Sequence, residues 1–452
     1  MPVETKQGKL LFRWLSPGRL MAAGFLLLIA IGTLLLMLPF SAAAGKHTSF
    51  MTAFFTSVSA CCVTGLTVAD TFSQWSLFGQ IVLLVLIQIG GLSFITIGTA
   101  VSIMLGNKLG LRQRGWIKES LNINDMAGIS RLIRTVFKGT ALIEAAGALL
   151  LSVRFIPLMG WGNGIWYGIF HSVSAFCNAG FDLMGTYGMS SFCGFSKDPV
   201  VVITVCMLIL TGGIGFIVWQ DILRCGIRMK KYTLQTKMVL SMSAALVLIP
   251  AILFFFTERD AVFQGMSLGE RLLSSLFTAV TPRTAGFNII EYSDMSEGGK
   301  LLTTALMFVG GGSGSTAGGV KMTTVFALLL HLRATVRRYD GVNIFGRRLD
   351  ENTLSKATAV LSIYLFLSCL SSFLICAAEG FPIGDTVFEV VSAICTVGIS
   401  AGLTRKLGVL SQLILIFLMY TGRLNSLSFA LSFTDNKRSV HIKQPAEDIS
   451  VG

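Results

Sequence analysis

Glycines at positions 65, 180, 286 and 398 each close a segment that opens on a phenylalanine and passes through an apolar turn and small residues: FTSVSACCVTG from Phe55, FHSVSAFCNAG from Phe170, FTAVTPRTAG from Phe277 and FEVVSAICTVG from Phe388. The chemistry open to such segments lies in the backbone. A cation such as K+ sheds its hydration shell only where other oxygens replace it, and a ring of backbone carbonyls does this without a formal charge. Pointing successive carbonyls to one side demands backbone angles that L-residues avoid and glycine permits. The candidate K+ filter is therefore Val63, Thr64 and Gly65; Asn178, Ala179 and Gly180; Thr284, Ala285 and Gly286; and Thr396, Val397 and Gly398, with K+ at these carbonyls as the only metal expected. None of the four triplets contains an acidic residue, which argues against a carboxylate ring. One such turn would be only a helix-breaking loop; four in register predict an ion pore.

The glycines stand 115, 106 and 112 residues apart, so the repeating unit is a structural module and not a short motif. The chain has 452 residues, is 53% hydrophobic and only 13% charged, the composition of a membrane protein. A spanning helix needs about 20 apolar residues, and such stretches recur at 21–40, 77–105, 137–156, 200–220, 236–257, 301–332 (through a glycine-rich break), 357–378 and 409–433. Eight spans, two per repeat, are expected. Lipid forces helices, because backbone polar groups there must be satisfied within the segment. The predicted fold is an all-α integral membrane protein with four repeats of outer helix, re-entrant pore helix with filter loop, and inner helix around one pseudo-fourfold pore. The repeats fall at 20–105, 135–225, 236–333 and 357–433, followed by a tail at 434–452.

The net charge of +13 is explained by topology. Of the 36 basic residues, 24 cluster on one side of the spans, including Lys108, Arg112, Arg224, Arg228, Lys231, Arg333, Arg337 and Lys437. By the positive-inside rule that side and both termini are cytoplasmic, and the filter segments enter from outside. Nucleic-acid binding is not expected. The run from Met21 to Leu38 before Ala42-Ala43-Ala44 imitates a signal peptide, but it is long for one and supplies the outer helix of the first repeat. The nine cysteines lack metal-type spacing and read as small buried hydrophobes, and His171 reads as structural.

The inner helices carry their own repeat, IGGLSF from Ile89, TGGIGF from Thr211, VGGGSG from Val309 and TGRLNS from Thr421. Paired glycines at mid-helix either allow close packing or break the helix. In the third repeat the break extends through Gly310, Gly311, Gly312, Ser313, Gly314, Ser315, Thr316, Ala317, Gly318 and Gly319, followed by Val320 and Lys321. It is expected to be a flexible plug beneath the filter. A phosphate-binding loop would need lysine where Val320 stands, so nucleotide binding and enzymatic activity are not expected. Arg423 places a charge where the other inner helices carry Gly91, Gly213 and Gly312. An intramembrane arginine usually faces a cavity or marks function; here the alternatives are a gate and a structural clamp on loop carbonyls.

Together these motifs resemble the superfamily of K+ transporters that groups Trk, Ktr and HKT proteins, and within it the KtrB membrane subunits of bacterial Ktr systems. CVTGLT, CNAGFD, PRTAGFN and CTVGISAGLT carry the resemblance, which covers nearly the whole chain. Gly65 is similar to the potassium-selective members, and Asn425 and Ser426 depart from the glycine or proline usual after the arginine. The resemblance implies K+-selective uptake across a bacterial plasma (inner) membrane through a channel-like pore gated by the glycine-rich loop and Arg423. It also implies a homodimer with the tail from Ile449 to Gly452 at its interface, and a KtrA-like cytosolic nucleotide-binding (RCK) ring on the basic face. No cofactor is expected in this chain, and ATP or ADP would sit on the ring. The alternative is an ion-coupled symporter, driven by Na+ or H+, of the related TrkH type.

Overall fold

A computed structural model describes residues 17–104, 110, 115, 129–187, 191–339 and 341–424. The expectations for Lys108, Arg112, Lys437, Asn425, Ser426 and the tail at 434–452 fall outside these residues.

Four helices are long and apolar enough to cross a membrane: α1 (Pro17–Leu36), α5 (Ile129–Met159), α9 (Leu234–Thr257) and α13 (Glu351–Glu379). Each is followed by a short, buried helix, namely α2 (Phe50–Cys61), α6 (Trp161–Phe176), α10 (Leu268–Val280) and α14 (Ile383–Ile394). The third element of each set is an inner helix: α3 (Leu77–Leu92), α7 (Pro199–Gly213), α11 (Glu297–Phe308) and α15 (Val409–Arg423). Helix starts are set by local chemistry. Side-chain oxygens of Ser49, Ser76, Asp198, Thr233, Ser267 and Ser296 accept first-turn N–H groups, satisfying donors that a helix leaves open.

Three of the inner segments are broken, the third at the glycine-rich stretch where a break was expected. The stretch at 77–105 breaks at Ser93, whose φ is +67°, before α4 (Phe94–Met104). The stretch at 200–220 breaks at Gly215, and α8 (Phe216–Cys225) leaves α7 at 95°. The third break is the loop from Val309 to Lys321, after which α12 (Met322–Val336) begins. The physical reason is a close backbone approach. A Cβ on Gly90, Gly212 or Gly422 would overlap the carbonyl of Cys61, Phe176 or Ile394, each at the C-terminal end of a short helix. These glycines therefore allow the inner helices to press against those ends, and the glycine pairs of α3 and α7 also weaken the helix where it breaks.

Burial runs opposite to that of a soluble protein. Phe55, Phe170, Phe277 and Phe388 are buried at the centre, while Leu27, Leu34, Leu142, Leu149, Leu248, Phe366 and Phe373 stand exposed on the long outer helices. Apolar exposure on this scale marks a lipid-facing surface. Ser57 and Ser172 tie the short helices α2 and α6 to the outer ones by donating to the carbonyls of Ile29 and Glu144 at 2.9 and 2.7 Å.

Candidate functional site

At the end of each short helix the chain turns sharply in the same way. Val63, Asn178, Thr284 and Thr396 have φ of +56°, +58°, +64° and +52°, and the glycine two residues later is again left-handed, at +92°, +69°, +79° and +91°. Alternate left-handed residues turn successive peptide groups to one side, and the hydrogen bonds reveal which side. The Thr64 N–H donates to Ser59 O at 2.8 Å, Ala179 to Ser174 O at 2.8 Å, Ala285 to Thr281 O at 3.0 Å and Val397 to Ser392 O at 2.8 Å. Because a trans peptide holds N–H and C=O antiparallel, the carbonyls of Val63, Asn178, Thr284 and Thr396 point away from the short helices. Among the described residues, the carbonyls of the four triplets accept no hydrogen bond.

The four turns close on one another. A Cβ built on Gly65 would lie 2.5 Å from Ala179 O, one on Gly180 2.8 Å from Ala285 O, and one on Gly286 2.6 Å from Val397 O. One on Gly398 would overlap Thr64 O, completing the circuit. The contacts follow chain order and close on themselves, so the twelve predicted residues come together around a single axis. The short helices also direct their C-terminal, partially negative ends at that axis.

Residues that the sequence reading passed over hold the ring. The Ser59 and Ser392 hydroxyls accept the N–H of Gly65 and Gly398, both at 3.1 Å, and the Ser174 and Thr281 hydroxyls donate to Phe181 O and Phe287 O at 2.8 and 2.7 Å. The available signal was a Ser or Thr four residues after every phenylalanine. Glu389 receives a hydrogen bond from Thr404 beyond the fourth turn. Arg283, buried at the approach to the third turn, has among the described residues Met322 Sδ as its one side-chain partner, at 3.3 Å. His171 is fully buried; its Nδ1 pairs with Tyr167 O at 2.7 Å, so Nδ1 carries the proton and Nε2 accepts the Leu183 N–H at 3.1 Å. Replacing His171 with alanine leaves a buried N–H without a partner and opens a cavity, a loss of about 2–4 kcal/mol. The expected result is a clearly lower thermal unfolding midpoint of the detergent-purified protein.

The four glycines floor a cavity of about 590 Å3. Its walls carry one charged residue from beyond each turn, Asp70, Asp182, Glu291 and Arg405. Asp182 is held by the Met184 N–H at 3.0 Å. Burial pushes its carboxyl up to about 6, and Asp70 adds to the rise against the opposing pull of Met184, Ser191 and Arg405.

On the opposite side of the ring lies the glycine-rich segment. In this structure its backbone is hydrogen-bonded to its surroundings: Gly310 N–H bonds Val320 O at 2.9 Å, Gly312 N–H bonds Gly213 O at 2.8 Å, and Phe216 N–H bonds Gly314 O at 2.8 Å. Backbone without side chains can reach the carbonyls exposed where α7 breaks, and this pins it. Its Thr316 hydroxyl lies 3.2 Å from both Phe176 O and Asn178 Oδ1, and a Cβ on Gly318 would overlap Thr396. The segment therefore sits directly against the ring. Lys321 Nζ donates to Ala317 O at 2.7 Å. Arg423 donates to Thr316 O and to Gly90 O and Gly91 O, the latter two at 2.6 and 3.0 Å. One guanidinium thus caps the broken end of α3 and holds the loop, as a charge favoured at a helix C-terminus does. Its recorded partners are backbone carbonyls, so its charge remains beside the axis. All nine cysteines are free thiols.

A ring of four turns whose backbone oxygens point away from the short helices, enclosed by helices with exposed apolar faces, defines a multi-pass membrane protein. The chain belongs to the TrkH family, described as cation transport proteins, which matches residues 20–442. It is 41% identical over 446 residues to the potassium/sodium uptake protein NtpJ of Enterococcus hirae, covering 97% of this chain and 98% of that one. It is 38% identical over 452 residues to Ktr system potassium uptake protein B of Bacillus subtilis, covering 99% and 100%. The solved structure of the potassium transporter TrkH from Vibrio parahaemolyticus shares the fold, with a TM-score of 0.69 at 20% identity over 92% of this chain and 85% of that one. As a member of a transporter family, the protein is not an enzyme.

Proposed function

We propose that this chain takes up K+ through a channel-like pore whose filter is the ring of carbonyls from Val63 to Gly65, Asn178 to Gly180, Thr284 to Gly286 and Thr396 to Gly398. The observation that carries the reading is the cyclic contact of the four glycines, since only a closed ring can replace a whole hydration shell. The names of the relatives, which specify potassium or potassium/sodium uptake, support the choice of ion. In this reading the segment from Gly310 to Gly319, with Lys321 and Arg423, is the gate. The basic face is cytoplasmic, as are both termini, in a bacterial plasma membrane, and it docks a nucleotide-binding regulatory ring that carries ATP or ADP; two copies of the chain form the membrane unit. The Ktr name of a relative supports a multi-subunit system. Rubidium tracer uptake into proteoliposomes, with Na+ as competitor, tests the assignment; no uptake above empty vesicles would overturn it.

The breaks in α3–α4 and α7–α8 favour a second reading, an ion-coupled symporter, because broken helices also mark secondary transporters. Flux-ratio recording separates the two: a channel gives independent ion flow, whereas a carrier gives a fixed stoichiometry with Na+ or H+.

The Asp182 carboxyl yields a pH dependence. It is charged above about pH 6 and neutral below, so acidification outside removes one of three negative charges from the cavity above the filter. Uptake at low K+ is expected to fall severalfold from pH 7.5 to about 5 through weaker cation attraction. Asp182→Asn should show the low value throughout and no step near pH 6. A step that persists in this variant would assign the titration to another group.

A further inference from the structure

We propose that the elbow between α8 and α9 is a binding site for the headgroup of an anionic phospholipid. The proposal rests on the reading of α7 and α9 as membrane-crossing helices. With α7 crossing the bilayer, the 95° turn lays α8 approximately along the membrane surface. One face of α8, with Phe216, Val218, Trp219 and Asp221, is buried in the protein. From the other side of the elbow Leu223, Ile227 and Met229 project at 74%, 93% and 69% exposure, so the protein itself leaves three large apolar side chains uncovered.

The residues that alternate with them in sequence line a cavity of about 600 Å3: Arg224, Arg228 and Lys231 together with Asp221, Cys225, Gly226 and Thr233. The single acid is already engaged, since Asp221 Oδ2 accepts the N–H and hydroxyl of Thr233 at 2.8 and 2.9 Å. Among the described residues none of the three cations forms a salt bridge, whereas Arg154 is paired with Asp198 and Lys300 with Glu297 and Asp385. A cavity with three cations and one acid, fringed by exposed Leu, Ile and Met at the edge of a span, carries a net positive charge and matches the two halves of a phospholipid: a phosphodiester for the cations and glyceride carbons for the apolar rim. Interfacial helices of this kind lie with apolar side chains in the headgroup region, and long basic side chains extend from it to the phosphates.

Electron spin resonance of spin-labelled phosphatidylglycerol and phosphatidylcholine, with the full chain in phosphatidylcholine vesicles, reads the site without any transport step. The wild type is expected to immobilise phosphatidylglycerol in preference to phosphatidylcholine. Each cation removed should lower that preference by about fivefold, so the combined change Arg224→Gln, Arg228→Gln and Lys231→Gln should bring the two lipids near equality. Total phosphatidylcholine contact should stay unchanged, which checks that the variant is folded. An undiminished preference in the variant overturns the proposal. Displacement by millimolar inorganic phosphate would assign the cavity to a free anion and overturn it too. So would a variant that keeps its lipid preference but no longer binds the cytosolic nucleotide-binding ring, because the elbow would then be a protein-docking face. Because the readout is lipid immobilisation, failure of cation uptake in the proteoliposome assay would count against the function proposed above and not against this site.

Discussion

Gly65→Ser is expected to abolish the preference for K+ over Na+, or K+ uptake altogether, while the protein still inserts into the membrane. The φ of +92° at Gly65 is a region that L-residues enter at a cost of about 1–2 kcal/mol. The added Cβ would also stand 2.5 Å from Ala179 O, a backbone atom of the neighbouring turn that is itself fixed by the Ala179 N–H to Ser174 O bond. Neither partner can yield without moving a carbonyl out of the ring. A loss of about 1.4 kcal/mol in differential binding is already a tenfold loss of selectivity, so at least that is expected in rubidium uptake measured against Na+. Gly398 should be equally intolerant, because its Cβ would overlap Thr64 O, and Gly286 and Gly180 nearly so. Unchanged selectivity in Gly65→Ser would remove this residue from the filter.

Arg423→Ala is expected to increase K+ flux and to make it less dependent on the cytosolic partner. A cation about 4 Å from the guanidinium meets a repulsion of about 4 kcal/mol at an effective dielectric near 20, enough to reduce conduction by several hundredfold when the side chain is in place. The substitution also releases Thr316 O, Gly90 O and Gly91 O, so the segment pinned under the ring loses its anchor to α3. Shortening the segment between Gly311 and Gly318 should act in the same direction, because Thr316 and Gly318 are the parts that touch Asn178 and Thr396. The measurement is uptake with and without the regulatory subunit. Normal insertion with lost uptake in the shortened protein would mean that the segment shapes the pore, and Arg423 would then be a clamp.

The sequence by itself determined the helical membrane class and the four turns, because both are local. Apolar length specifies a span regardless of its neighbours, and a glycine after a Ser- or Thr-bearing apolar turn specifies the left-handed exit seen at Val63 and Gly65. It also placed Arg423 and the segment from Gly310 to Gly319 at a common depth, since position along a span can be counted. The hydrogen-bond partners of that segment, the 95° turn at Gly215 and the partners of Arg423 were decided only by tertiary structure. Paired glycines are equally compatible with close packing and with a break, and only the folded structure shows that the carbonyls of Cys61 and Phe176 press against Gly90 and Gly212 just before α3 and α7 end. Likewise, ten residues with little side-chain bulk have no intrinsic structure; they are held here because the break after α7 leaves backbone groups that must be satisfied, and Gly212, Gly213 and Phe216 lie about a hundred residues away in the chain.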